Sequence, residues 1–152
     1  MKFLHINDTN IDEINLLNKA IKNSGNIFVL IYMEGCNPCN ELRPEWNKIK
    51  NILKNTKNSK YDNTFIVDIE REFINKMHLN NKPSSFPSIQ RIYKKGNIET
   101  DYDDKRDISS LISWINNNTH KTKKHTKKHT KKHTKKHTKK HTKKHTKRHN
   151  TP

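Results

Sequence analysis

Ile27-Phe28-Val29-Leu30-Ile31-Tyr32-Met33-Glu34-Gly35-Cys36-Asn37-Pro38-Cys39-Asn40-Glu41-Leu42-Arg43-Pro44-Glu45-Trp46 carries both cysteines of the 152-residue chain, three positions apart. The apolar run from Ile27 to Met33 has the pattern of a strand buried on both faces. After the cysteines, Leu42, Trp46, Ile49 and Leu53 recur at steps of four, three and four, which predicts a long amphipathic helix. Pro44 inside it removes one N–H and predicts a kink. The cysteines therefore stand where a strand hands over to a helix. A thiol at a helix start meets unpaired N–H groups and the positive end of the helix dipole, and both favour thiolate. A second thiol at i+3 lies on the same helix face and can close a small disulfide with the first. Cys-x-x-Cys beside a β-α pattern reads as a dithiol/disulfide centre. Two other readings stay open. Half a zinc site needs further ligands, and the globular part offers only His5 and His78. A buried structural pair is the third, against which Gly35, the short loop and Pro38 all argue.

Around this centre the chain reads as β-α-β-α-β-α-β-β-α. Lys2–Ile6 is a short strand. Asn10 and Glu13 form a helix-start pair ahead of Ile11, Ile14, Leu17 and Ile21, and Gly25 is expected to stop that helix. Thr64–Asp68 is a strand and Glu70–His78 a short helix. Ser88–Tyr93 and Ile98–Tyr102 flank the turn Lys94-Lys95-Gly96-Asn97 as a hairpin, and Asp107 caps a last helix with Ile108, Leu111, Ile112 and Ile115. An α/β fold follows, with a central mixed sheet flanked by helices, parallel in its first part and antiparallel at the end.

Charge divides the chain in two. The formal net charge is +17, yet residues 1–119 hold 17 Lys/Arg against 15 Asp/Glu, while residues 120–152 hold 15 Lys/Arg and no acid. Six tetrads run from His125 to Arg148, five of them His-Thr-Lys-Lys and the last His-Thr-Lys-Arg. A segment with no aliphatic or aromatic side chain beyond imidazoles cannot offset its ordering entropy, so residues 119–152 are expected to be a disordered basic tail behind a domain of residues 1–118. No stretch approaches a membrane span. The first 20 residues show no secretory signal, and two cysteines alone suit a reducing compartment, so an intracellular, cytoplasmic monomer is expected. Heavy use of Asn, Lys and Ile matches an AT-rich genome, such as that of a large DNA virus, where virion packaging would be in view, or of a unicellular organism.

With the strand order, the cysteines and Pro87 in hand, residues 1–118 resemble the thioredoxin fold. Cys36 through Trp46 looks like the protein disulfide isomerase branch, whose helices often continue Leu-x-Pro-Glu-aromatic. Phe86-Pro87-Ser88-Ile89, Tyr102, Arg106 and Trp114-Ile115 are similar to the same branch, and Asn-Pro between the cysteines is nearer thioredoxin itself. The resemblance implies that Cys36 is the attacking thiol and Cys39 the resolving thiol. It also implies that Pro87 is a cis proline facing them, with Phe86 and Pro87 receiving an extended substrate strand. No cofactor or metal is implied. Two positions depart from the pattern. Leu30 stands where the family has a buried acid that shuttles a proton, leaving water, Glu34 or Glu41 to serve Cys39, and Gly35 stands where a Trp is usual. The expected function is thiol–disulfide exchange on protein disulfides, with a tail that tethers the domain to nucleic acid or another polyanion. The alternative is a polyanion-binding module whose thioredoxin-like domain is weakly active or inactive. Metal binding by the spaced tail imidazoles is a third possibility.

Overall fold

In a computed structural model of the protein, residues 1–56, 61–80 and 82–119 are described, 98–100 by their backbone alone. The elements are β1 (Lys2–Ile6), α1 (Glu13–Lys22), β2 (Asn26–Tyr32), α2 (Asn37–Lys54), β3 (Thr64–Glu70), a 3-10 helix (Arg71–Lys76), β4 (Ser88–Tyr93), β5 (Asn97–Asp101) and α3 (Ile108–Thr119). One five-stranded sheet has the order β1-β3-β2-β4-β5. Its first three strands are parallel, and β4 and β5 are antiparallel to their neighbours. This is the predicted mixed sheet. Thr119, expected to open the disordered tail, is instead the last residue of α3 and is buried, and the rest of that expectation falls on residues 120–152, outside the described residues.

All seven residues of β2 are buried, because helices cover both faces of the sheet. Alternation sends Ile27, Val29 and Ile31 to one layer, where they meet Ile14, Leu17 and Ile21 of α1 and Val67 and Ile69 of β3. Phe28 and Leu30 face the other layer, against Leu42, Trp46, Ile49 and Leu53 of α2 and Leu111 and Ile115 of α3. Full burial of each such aliphatic side chain contributes about 1.5–3 kcal/mol before entropy is counted. The 18-residue α2 runs through Pro44 as one element.

Three local expectations are corrected. Glu13 forms no capping box with Asn10. Its carboxylate accepts from the His5 amide at 2.7 Å and ties α1 to β1, while Asp12 holds the N-cap position without a side-chain bond. Ser24, not Gly25, takes the left-handed conformation after α1, at φ 57. Gly25 matters for space, since a Cβ there would stand 3.0 Å from the Ala20 carbonyl oxygen. The segment read as a helix over Glu70–His78 is a six-residue 3-10 turn, its ends set by extended Glu70 and Met77.

Asp107 caps α3 as the sequence predicts. Its carboxylate accepts from the Ser110 amide at 2.9 Å and from the hydroxyls of Ser109 and Ser110. The Ser109 hydroxyl first, then the Ser110 amide and hydroxyl, hold its pKa down at about 2. A depressed carboxylate stabilises above its unfolded pKa and loses that contribution as pH falls toward the folded one. Asp107→Ala is therefore expected to lower Tm at pH 7, with the deficit vanishing between pH 4 and pH 2. Thermal melts at pH 7, 4 and 2 check this, and a deficit that persists at pH 2 would contradict it.

Candidate active site

Extended Cys36, at φ −90 and ψ 112, is the N-cap of α2, with Pro38 in the first turn where no amide donor is missed. The Cys39 amide donates to Cys36 Sγ at 3.3 Å. The two cysteines form a disulfide across a Cα separation of 5.2 Å, within the usual 4.4–6.8 Å range. They differ in access, since Cys39, in the first turn of α2, is wholly buried and Cys36 only partly. Gly35, at φ +73, makes the turn into the helix. A side chain there would meet nothing within 4 Å but would be strained, which accounts for glycine in place of a bulky residue.

The loop before β4 closes the other side. The Phe86–Pro87 peptide bond is cis, and the Phe86 carbonyl oxygen lies 4.0 Å from Cys36 Sγ. Arg106, from the segment leading into α3, donates to the Pro87 carbonyl at 3.4 Å. Cys36, Cys39, Phe86 and Pro87 thus converge although 50 residues separate Cys36 from Phe86. The site's residues come from three separate stretches of chain: the turn after parallel strand β2, the loop that leads into antiparallel β4, and the segment between β5 and α3.

The carboxylates named from the sequence do not reach Cys39. Glu34 is exposed and bonded to Arg43 at 2.9 Å, Glu41 is exposed, and no hydrogen bond joins either to Cys39 among the described residues. Leu30 is fully buried in the apolar layer. The layer does hold an acid at another position: Asp68 on β3 is the register partner of Leu30 and is 4% exposed. Lys50 Nζ of α2 donates to one of its oxygens and His5 Nδ1 of β1 contacts the other. A lone Asp inside the apolar run Phe65–Ile69 was the sequence signal, and its partners lie 18 and 63 residues away. His5, one of the imidazoles weighed for zinc, is thus occupied with Asp68, and no group of three or more His, Cys, Asp or Glu among the described residues is arranged to hold a metal.

Beside the dithiol, β2 ends in Tyr32, and burial pushes its phenol up to about 12 despite the Arg43 guanidinium 4.1 Å from its ring. Glu70, its neighbour in register, is also raised, by burial first and then by Glu72, Glu34 and Asp8.

The thioredoxin family model matches residues 7–117. The chain belongs to the thioredoxin family. Among solved structures, human ERp44 shares 18% identity with this thioredoxin-family chain at a TM-score of 0.55, covering 76% of this chain and 32% of that one. A J-Trx1 fragment of ERdj5 gives 17% identity and 0.54, covering 77% and 51%. The first thioredoxin domain of mouse protein disulfide-isomerase A4 gives 20% and 0.50, covering 78% and 76%. The chain therefore spans about half the ERdj5 fragment and a third of ERp44, and the likeness is one of fold. Comparison with curated proteins finds no match. No helix among the described residues is long and apolar enough to cross a membrane.

Proposed function

We propose that the protein is a thiol–disulfide oxidoreductase acting on protein disulfides. The observation that carries this reading is a Cys36–Cys39 disulfide at the start of α2 in a thioredoxin-family domain, with Cys36 the more exposed of the two residues. In the reducing direction, Cys36 thiolate attacks one sulfur of a substrate disulfide and expels the other as thiolate. Cys39, after losing its proton, attacks Cys36 Sγ and releases the second substrate thiolate. Two electrons pass to the substrate and the intramolecular disulfide remains; the reverse sequence oxidises a dithiol. Phe86 and Pro87 supply backbone beside Cys36 for an extended substrate strand, and Arg106 holds that backbone through the Pro87 carbonyl. Neither Asn37 nor Pro38 carries a charge that would stabilise the thiolate, which favours a reductant over a strong oxidant. A reducing, intracellular compartment suits that direction. The test is direct: the reduced protein, freed of reductant, is mixed with a peptide disulfide. One Cys36–Cys39 disulfide should form per substrate disulfide reduced, and no thiol release would defeat the reading.

The tail supports a second, compatible role. Fifteen cationic side chains in residues 120–152 favour nucleic acid or another polyanion through counterion release. Each tail His has lysines for neighbours, whose charge disfavours its protonation, and a polyanion reverses that field. Affinity for DNA, RNA or heparin should rise from pH 7.5 to pH 6 and fall steeply with added salt. Removing residues 119–152 should abolish binding. Equal binding by the shortened chain would remove the tail from this role, and indifference to pH would make the imidazoles mere spacers.

A further inference from the structure

At the C-terminal ends of β1, β3 and β2 a cleft of about 320 Å³ opens beside the loop that carries Cys36. Asn7, Asp8, Tyr32, Glu34, Arg43, Glu70, Glu72 and Phe73 line it. Crevices at the carboxyl ends of parallel strands are where open α/β sheets bind ligands. Four carboxylates share this one with a single cation, Arg43, which is spent on Glu34. Among the described residues Asp8, Glu70 and Glu72 have no ion-pair partner. Arg71 donates to Met33 Sδ at 3.1 Å, and Lys76 Nζ lies 5.4 Å from the centre of the Phe73 ring without being part of the lining. The cleft also holds an unanswered polar group. Tyr32 is 1% exposed and lines the cleft, yet its hydroxyl has no hydrogen-bond partner among the described residues. Its ring already receives one guanidinium, that of Arg43, at 4.1 Å. The carboxylates are spread along the walls, and no three acidic or imidazole groups converge as a metal would require.

We propose that this cleft is a subsite for a lysine or arginine side chain of a peptide, and that it selects cationic sequence next to the disulfide presented to Cys36. The cation is received by Glu70, Glu72 and Asp8, with the Tyr32 hydroxyl as a neutral acceptor. The substrate preference rests on the oxidoreductase reading; the binding of the cation does not. Two sources supply this chemistry, a substrate in trans and the chain's own residues 120–152.

The test uses the full chain and a cysteine-free peptide of alternating lysine and glycine, coupled to the protein by a zero-length carbodiimide and mapped by mass spectrometry. Coupling of Glu70 or Glu72 to peptide lysines supports the subsite and places its ligand in trans. Coupling to lysines of residues 120–152 supports it with the tail as ligand. Absence of both overturns it. Where the ligand is in trans, Glu70→Gln and Glu72→Gln should each weaken peptide affinity about two- to fivefold, the range of a partly exposed ion pair. Tyr32→Phe should weaken it while leaving the fold intact, and Asp62→Asn, an equal charge change before the far end of β3, should not. Equal losses in Asp62→Asn and Glu70→Gln would mean diffuse charge attraction and overturn the subsite. A cleft that binds the peptide in a protein that reduces no disulfide would sink the oxidoreductase reading and leave the subsite standing.

Discussion

Cys39→Ser is expected to accumulate mixed disulfides on Cys36, and Cys36→Ser to lose disulfide exchange altogether. The asymmetry follows from position. Cys36 is the N-cap and partly exposed, whereas Cys39 is fully buried in α2 and bonded to Cys36. A substrate captured by Cys36 then has no internal thiol to release it. The Cys39→Ser variant also reports the acidity of Cys36 alone. The helix start and the Cys39 amide 3.3 Å from Cys36 Sγ favour thiolate, so alkylation should show a midpoint below the free-thiol value of about 8.5. Substrates trapped on Cys39→Ser are identified by mass spectrometry after release with reductant. Adducts found instead on the Cys36→Ser variant would reverse the two roles, and a midpoint at or above 8.5 would remove the activated nucleophile.

The parts of this site that follow from local pattern were legible in the sequence. Continuous apolarity over Ile27–Tyr32 gave the central strand, the steps Leu42, Trp46, Ile49 and Leu53 gave α2, and the cysteines fell at their junction. What escaped depends on register. Nothing local says that Asp68 stands beside Leu30, or that Lys50 on α2 and His5 on β1 reach it. The same holds for Glu13, whose spacing from Asn10 suggests a cap but whose carboxylate finds an amide of the neighbouring strand at 2.7 Å. In the acidic cleft, Asp8 and Glu34 come from the loops after β1 and β2, Glu70 ends β3 and Glu72 lies in the 3-10 helix, and they look like ordinary surface charge until the strand ends are assembled. Gly96 is a middle case. The turn was legible, but the reason that only glycine fits, a Cβ that would stand 2.7 Å from the His78 carbonyl oxygen, lies 18 residues away.

Leu30→Asp carries the largest expected effect on stability. Leu30 is fully buried among Leu42, Trp46, Ile49, Ile66 and Ile89 and is the parallel-strand partner of Asp68. Neighbouring strands lie about 4.8 Å apart, so the substitution sets a second carboxyl beside a buried one. Lys50 and His5 are already engaged with Asp68. Lost apolar burial, desolvation and like-charge repulsion together should cost about 3–5 kcal/mol at pH 7. The introduced carboxyl would have its folded pKa raised, so the penalty grows as pH rises above the unfolded value of about 3.9 and shrinks toward pH 4. Denaturant unfolding at pH 7 and pH 4.5 measures both. If the variant stays folded, the same carboxyl gives Cys39 a nearby proton acceptor, and turnover near neutral pH should rise. Unchanged or slower turnover in a folded variant would show that proton removal from Cys39 is not limiting. Leu30→Asp combined with Asp68→Leu separates the two costs, since it moves the acid from β3 to β2 and leaves one carboxyl for Lys50. The double variant should recover most of the repulsive penalty and keep the gain in turnover. If it is no more stable than Leu30→Asp alone, repulsion by Asp68 is not the source of the loss, and lost packing against Trp46 and Leu42 accounts for it.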